Sequence, residues 1–217
     1  MLRPLEEVCC VAAHALDLRA RQLDEEQSPY GLDALDERAL CDVLRAGFAD
    51  AGFGVVAEAP YPSAHSKARR SEGERCDIVL TPSPARPLAA DPRAGPLFAA
   101  SGVPAAEAIW LEVKVAMQFA LTDGVAGPSR RYTTQLLRET TADIRKLACE
   151  EGLGLAAALL IHCTASLDIA QHDLNALVER CLRRRLPIDS PIVERRPLTD
   201  RLGNTLLSVA ALRVKPG

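Results

Sequence analysis

The stretch Ile109-Trp110-Leu111-Glu112-Val113-Lys114-Val115-Ala116 constrains this chain more than any other. It is apolar enough to be a buried strand, yet it carries a carboxylate and an ammonium two positions apart. Side chains of a strand alternate between faces, so Glu112 and Lys114 point one way and Leu111, Val113 and Val115 the other. A charge is costly to bury unless it is paired or holds an ion. Whatever fold the chain adopts must answer those two charges at that point.

A second acid lies upstream in Glu74-Arg75-Cys76-Asp77-Ile78-Val79-Leu80, a run of strand character. Strict alternation puts Cys76, Ile78 and Leu80 on one face and Asp77 on the other. Asp77 followed by Glu112-Val113-Lys114 resembles the PD-(D/E)xK nuclease superfamily, with Asp77 as the first acid and the tripeptide as the ExK element. Cys76 stands where that family usually has proline. The acids are 112 − 77 = 35 positions apart, a long interval that is assigned to an insertion. The resemblance covers roughly Asp33 to Thr164 and rests on few letters.

The chain has 217 residues, is 48% hydrophobic and carries a formal charge of −3, enough for one domain with a substantial core. No apolar run of about 18 residues suggests a membrane span, and the early acids Glu6 and Glu7 argue against a signal peptide. Seven cysteines are scattered without a Cys-x-x-Cys pair, which reads as buried, reduced thiols in a cytoplasmic protein. A sequence pI near 5.9 weighs against an autonomous, tight nucleic-acid binder, but not against a locally basic groove.

Periodicity supplies the order of elements. A helix is expected from Pro4 to about Glu26, with Leu5, Val8, Ala12, Leu16 and Leu23 as its stripe. Asp33 is read as the cap of a second helix reaching Ala51, with Leu40, Val43, Leu44 and Phe48 inward and Glu37 on the same face. A strand follows from Phe53 to Glu58, then a basic, turn-rich loop with Arg69 and Arg70, then the Asp77 strand. The segment 81–106 is proline-rich and aperiodic and is read as a surface insertion. Thr122 to Pro128 is read as a loop, Thr133 to Glu151 as a helix, and Leu155 to Cys163 as a strand buried on both faces. His162 on that strand is read as a core histidine. A further helix over Asp168 to Arg185 and strands at Pro191 to Val193 and Thr205 to Val214 complete the chain. Strand, helix, strand implies parallel neighbours.

The expected architecture is therefore α/β: a restriction-endonuclease-like core in which a mixed central β-sheet is flanked by helices. It is read as a single domain over 1–217, with an N-terminal helix at 4–26, the core at about 33–164, the insertion at 81–106, and a C-terminal helix and strands at 168–214. The resemblance implies a metal-dependent nuclease that hydrolyses phosphodiester bonds, with DNA as the expected substrate, of restriction, repair or phage-defence type. Asp77, Glu112 and the carbonyl of Val113 would bind Mg²⁺, with Mn²⁺ as substitute. Lys114 would act on the attacking water and the transition state, and Glu37 would hold a water. Arg69, Arg70, Arg131, Tyr132 and Gln135 are the expected nucleic-acid contacts. The alternative is a weak or inactive nuclease-fold subunit, working in assembly or nucleic-acid binding with a protein partner or as a homodimer. An ion pair between Glu112 and Lys114 is the bland explanation of the central strand.

Overall fold

The computed structural model describes residues 4–63, 74–89 and 102–215. The protein is α/β, with a six-stranded mixed sheet flanked by helices. Helices α1 (Leu5–Glu25) and α2 (Glu37–Asp50) precede strands β1 (Gly54–Pro60), β2 (Arg75–Thr81) and β3 (Ile109–Met117). A hairpin of β4 (Phe119–Thr122) and β5 (Val125–Pro128) leads to a π-helical stretch, Thr134–Glu139, and on into α3 (Thr140–Ala148). Strand β6 (Leu155–Thr164), helix α4 (Leu167–Arg183), β7 (Ile192–Pro197) and β8 (Leu206–Val214) follow.

The sheet order is β1-β2-β3-β6-β8-β7. β3 and β6 are parallel, as a strand-helix-strand unit requires, and the other neighbours are antiparallel. Every residue of β6 is buried, because this strand lies between β3 and β8 with helices on both sides. One apolar cluster packs α1 and α2 on Leu111, Val113 and Val115; the other packs α3 and α4 on Trp110, Ala116 and Leu160. The stripe of α1 is buried as its spacing predicts, and so are Leu40, Leu44 and Phe48 of α2. Among the described residues, no helix is long and apolar enough to cross a membrane.

Several expectations need correction. Asp36, not Asp33, caps α2: its carboxylate accepts a hydrogen bond from Ala39 N–H at 2.8 Å. Asp33 is instead buried in a short 3-10 turn and accepts from Asn204 Nδ2 at 2.8 Å. The supposed loop over Thr122 to Pro128 is half of a hairpin, turned at Asp123-Gly124, both with positive φ (52° and 79°). An Asp-Gly pair is the residue signal for such a turn. Of the segment 81–106, Thr81 belongs to β2, and Leu88 bridges to Val103, which is fully buried. All seven cysteines are free thiols, but Cys10 and Cys149 are exposed rather than buried.

Candidate active site

The site lies where the β2–β3 ladder stops. Paired positions run Leu80↔Ile109, Val79↔Trp110 and Ile78↔Leu111, and no pair follows at Asp77. The β1–β2 ladder skips the same place, pairing Ala57 with Ile78 and Ala59 with Cys76, and Glu58 between them has φ 51°. A left-handed non-glycine residue beside an interrupted ladder marks a local irregularity of the kind found at functional sites. It also breaks the alternation expected of β2. Cys76 packs with Val79 and Trp110 on the α3 side, while Ile78 and Leu80 pack with the α2 side.

The interruption frees Asp77 to reach across. Its Oδ2 accepts a hydrogen bond from Val113 N–H at 2.7 Å. Val113 thus turns its N–H, and with it its carbonyl, toward the β2 edge. Asp77 and the backbone edge of Val113 therefore meet on neighbouring strands, next to Glu112.

Glu112 is only 4% exposed. Its Oε1 accepts hydrogen bonds from the Tyr61 hydroxyl and from Lys146 Nζ, the latter at 2.7 Å. Burial, then the charge of Asp77, pushes its carboxyl up to about 7; Lys146 and Tyr61 pull the other way. Tyr61 is fully buried, stacks on Trp110 with centroids 5.6 Å apart, and has its phenol held far above the usual range by burial. Lys146 lies over the Tyr61 ring and also donates to the Arg75 carbonyl at 3.2 Å.

Lys114 does not pair with Glu112, so the bland ion-pair explanation of the strand is wrong. Its ammonium donates to both carboxylate oxygens of Glu37 at 3.3 Å and lies 3.6 Å from Asp143 Oδ2. Burial alone would depress Lys114, but Asp143 and Glu37 outweigh it and raise the ammonium above its ordinary value. Asp143 is raised mainly by burial, and its Oδ2 has no hydrogen-bond partner. The result is a chain of alternating charge, Glu37, Lys114, Asp143, beside the Asp77–Glu112–Lys146 group.

An open cleft of about 770 Å³ adjoins Lys114 and Glu37. Its walls include Ala120 and Leu121 of the hairpin, and Arg130, Arg131 and Gln135. Arg131 and Gln135 thus stand where a ligand of the cleft would meet them, although Arg131 also pairs with Glu139 at 3.4 Å. Tyr132 does not. Its hydroxyl donates inward to Asp173 Oδ2 at 2.5 Å and contacts His162 Nε2 at 2.6 Å. One phenolic proton cannot serve both, so His162 donates through Nε2–H. His162 is a buried core histidine, lowered to about 4 by burial. Arg69 and Arg70 lie outside the described residues.

Sequence reasoning missed Tyr61, Asp143 and Lys146. Asp143 and Lys146 are three apart on a helix, a spacing that puts them on neighbouring surface positions. That signal was present, but what they face depends on α3 packing over β3. Tyr61 stood in Pro60-Tyr61-Pro62, which reads as a strand terminator. Among the described residues no group of three His, Cys, Asp or Glu side chains is gathered as a metal site. No family model matches the chain, and neither does any curated protein or solved structure.

Proposed function

We propose that this chain is a metal-dependent nuclease of the PD-(D/E)xK type, acting on phosphodiester bonds in DNA. One observation supports it above the others: Asp77 and Glu112 come from adjacent strands to a break in the ladder, with Lys114 on the face that Glu112 shares. A buried carboxyl whose ionisation is opposed by burial and by a neighbouring carboxylate, as Glu112 is by Asp77, suits a cation. Asp77, Glu112 and the Val113 carbonyl are all oxygen donors, which fits Mg²⁺ or its substitute Mn²⁺; Mg²⁺ keeps several waters and needs few protein ligands. When bound, such an ion neutralises phosphate charge and lowers the pKa of water.

The chain's own groups have separate tasks. Val113 N–H fixes the orientation of Asp77. Glu37 and Asp143 keep the Lys114 ammonium charged and at the cleft side of the strand, where it can offset negative charge developing on a phosphate. Glu37, half exposed, can accept from a water entering by the cleft. Arg130, Arg131 and Gln135 line the path a phosphate backbone would follow.

The test combines metal titration with cleavage of plasmid DNA, single-stranded DNA and RNA in Mg²⁺ or Mn²⁺. Asp77→Ala is expected to lose Mn²⁺ binding and cleavage together. Lys114→Ala is expected to keep Mn²⁺ binding and lose cleavage by about a hundredfold or more, the scale of removing one electrostatic or acid–base group. Undiminished cleavage by Lys114→Ala overturns the mechanism. The second reading, a nuclease-fold subunit that assembles or binds without cutting, draws on one observation: Oε1 of Glu112 is already engaged by Tyr61 and Lys146. A wild type that neither binds metal nor cuts any nucleic acid favours that reading.

A further inference from the structure

We propose that Lys146 is an internal counter-cation that occupies Glu112 in the metal-free protein and has to leave it when a divalent cation binds. The inference rests on the metal-site reading of Asp77 and Glu112, and it adds a competitor built into that site.

A carboxylate as buried as Glu112 needs a positive partner. The lysine two residues along the strand does not supply it, being held by Glu37 and Asp143. The partner comes from α3, where Lys146 Nζ sits 2.7 Å from Oε1. Tyr61 donates to that same oxygen, so both of its accepting directions are used. A cation approaching Oε1 therefore meets an ammonium and a hydroxyl already in place.

Lys146 also has somewhere to go. Its ammonium is within reach of the Arg75 carbonyl at 3.2 Å and lies 5.2 Å from the centroid of the Tyr61 ring. Its side chain is 21% exposed, so solvent reaches it too. A lysine on a flexible four-carbon stem can give up one contact and keep the others. Arginine would hold more firmly, because its planar fork matches a carboxylate with two parallel bonds.

Isothermal titration with Mn²⁺ on the full chain tests this, comparing wild type, Lys146→Met and Lys146→Arg. A pH of about 8.5 keeps a proton from replacing the lysine as competitor. Lys146→Met is expected to bind Mn²⁺ about tenfold more tightly than wild type, the scale of one charge-assisted hydrogen bond that no longer has to break. Lys146→Arg is expected to bind no more tightly than wild type. A merely structural lysine would give the opposite order, with methionine the worse of the two. Equal or weaker binding by Lys146→Met in a wild type that binds overturns the latch and leaves the nuclease reading standing. If only Lys146→Met binds, the latch is supported; if neither binds, both ideas fall. Should Lys146→Met not unfold cooperatively in a thermal melt, Lys146→Gln takes its place. Trp110, the single tryptophan, gives a second readout through its stacking on Tyr61. Saturating Mg²⁺ is expected to shift its emission in the wild type, and unchanged emission overturns the proposal.

Discussion

Glu112 shows how burial and charge set the behaviour of one side chain. Its folded carboxyl is pushed up to about 7 from an ordinary value of 4.5, by burial and then by Asp77. Between those values the folded protein holds a proton that the unfolded chain has lost, so stability falls as pH rises through that window and levels off above it. Urea unfolding in metal-free buffer is expected to show this fall in the wild type and to show it much reduced in Glu112→Gln. Parallel curves for the two proteins would mean that Glu112 is not the group responsible. Tyr61 is the neighbouring case. Tyr61→Phe keeps the ring against Trp110 but removes the hydroxyl that donates to Glu112. The expected loss is about 1–3 kcal/mol by urea unfolding, the cost of leaving a buried acceptor less well satisfied. No loss would show that Lys146 alone satisfies the carboxylate.

Helix α2 begins where the site needs it to. Asp36 caps the helix and Glu37, its first residue, receives Lys114. Asp36→Ala is expected to cost about 1 kcal/mol in urea midpoint analysis, the usual value of such a cap. A change within error would show that the cap contributes nothing to the folded state. The π-helical stretch Thr134–Glu139 has a comparable position, carrying Gln135 and Glu139 into the cleft wall before α3 starts. Thr140 Oγ1 donates to the Gln135 carbonyl at 2.8 Å, and Thr141 Oγ1 donates to the Leu137 carbonyl. These side-chain bonds add to the widened backbone ladder, in which Thr140 N–H also donates to the Gln135 carbonyl. Periodicity showed one helix from Thr133 to Glu151 because Leu136, Ile144 and Leu147 all point inward whether or not the first turn is widened.

The whole molecule holds the two ends of its long β2–β3 connection together. Ala89 N–H donates to the Val103 carbonyl at 2.9 Å and Val103 N–H to the Pro87 carbonyl at 2.7 Å. A Cβ on Gly102 would come within 2.6 Å of Ala89 Cα. The chain on either side of 90–101 is therefore already in contact, and a short linker can close the gap at small entropic cost. Replacing 90–101 by two glycines is expected to leave a single cooperative thermal transition by circular dichroism. Loss of cooperativity would show that the segment is part of the core. The residues just beyond it are different. Ala105 accepts from Trp110 Nε1–H at 3.1 Å, and a Cβ on Gly154 would lie 1.9 Å from the Ala106 carbonyl oxygen. That end of the supposed insertion is packed against the start of β6 and belongs to the domain.

The sequence by itself determined the main helices and the strands of the central sheet, though not the β4–β5 hairpin or the π-helical turn. It also determined that β6 is buried on both faces and that Asp77 and Glu112 lie on successive strands of the sheet. These are consequences of local periodicity, in which each side chain's direction follows from its neighbours along the chain. Only the tertiary structure decided which charges meet. Lys146 answers Glu112 from 34 positions away (146 − 112), Glu37 answers Lys114 from 77, and Asn204 answers Asp33 from 171. The same holds for Tyr132, drawn inward by Asp173 and His162, and for Cys76, turned to the other face where two ladders break. A buried charge requires a partner on energetic grounds, but the choice of partner depends on which elements pack together. Alternation within one strand does not contain that information.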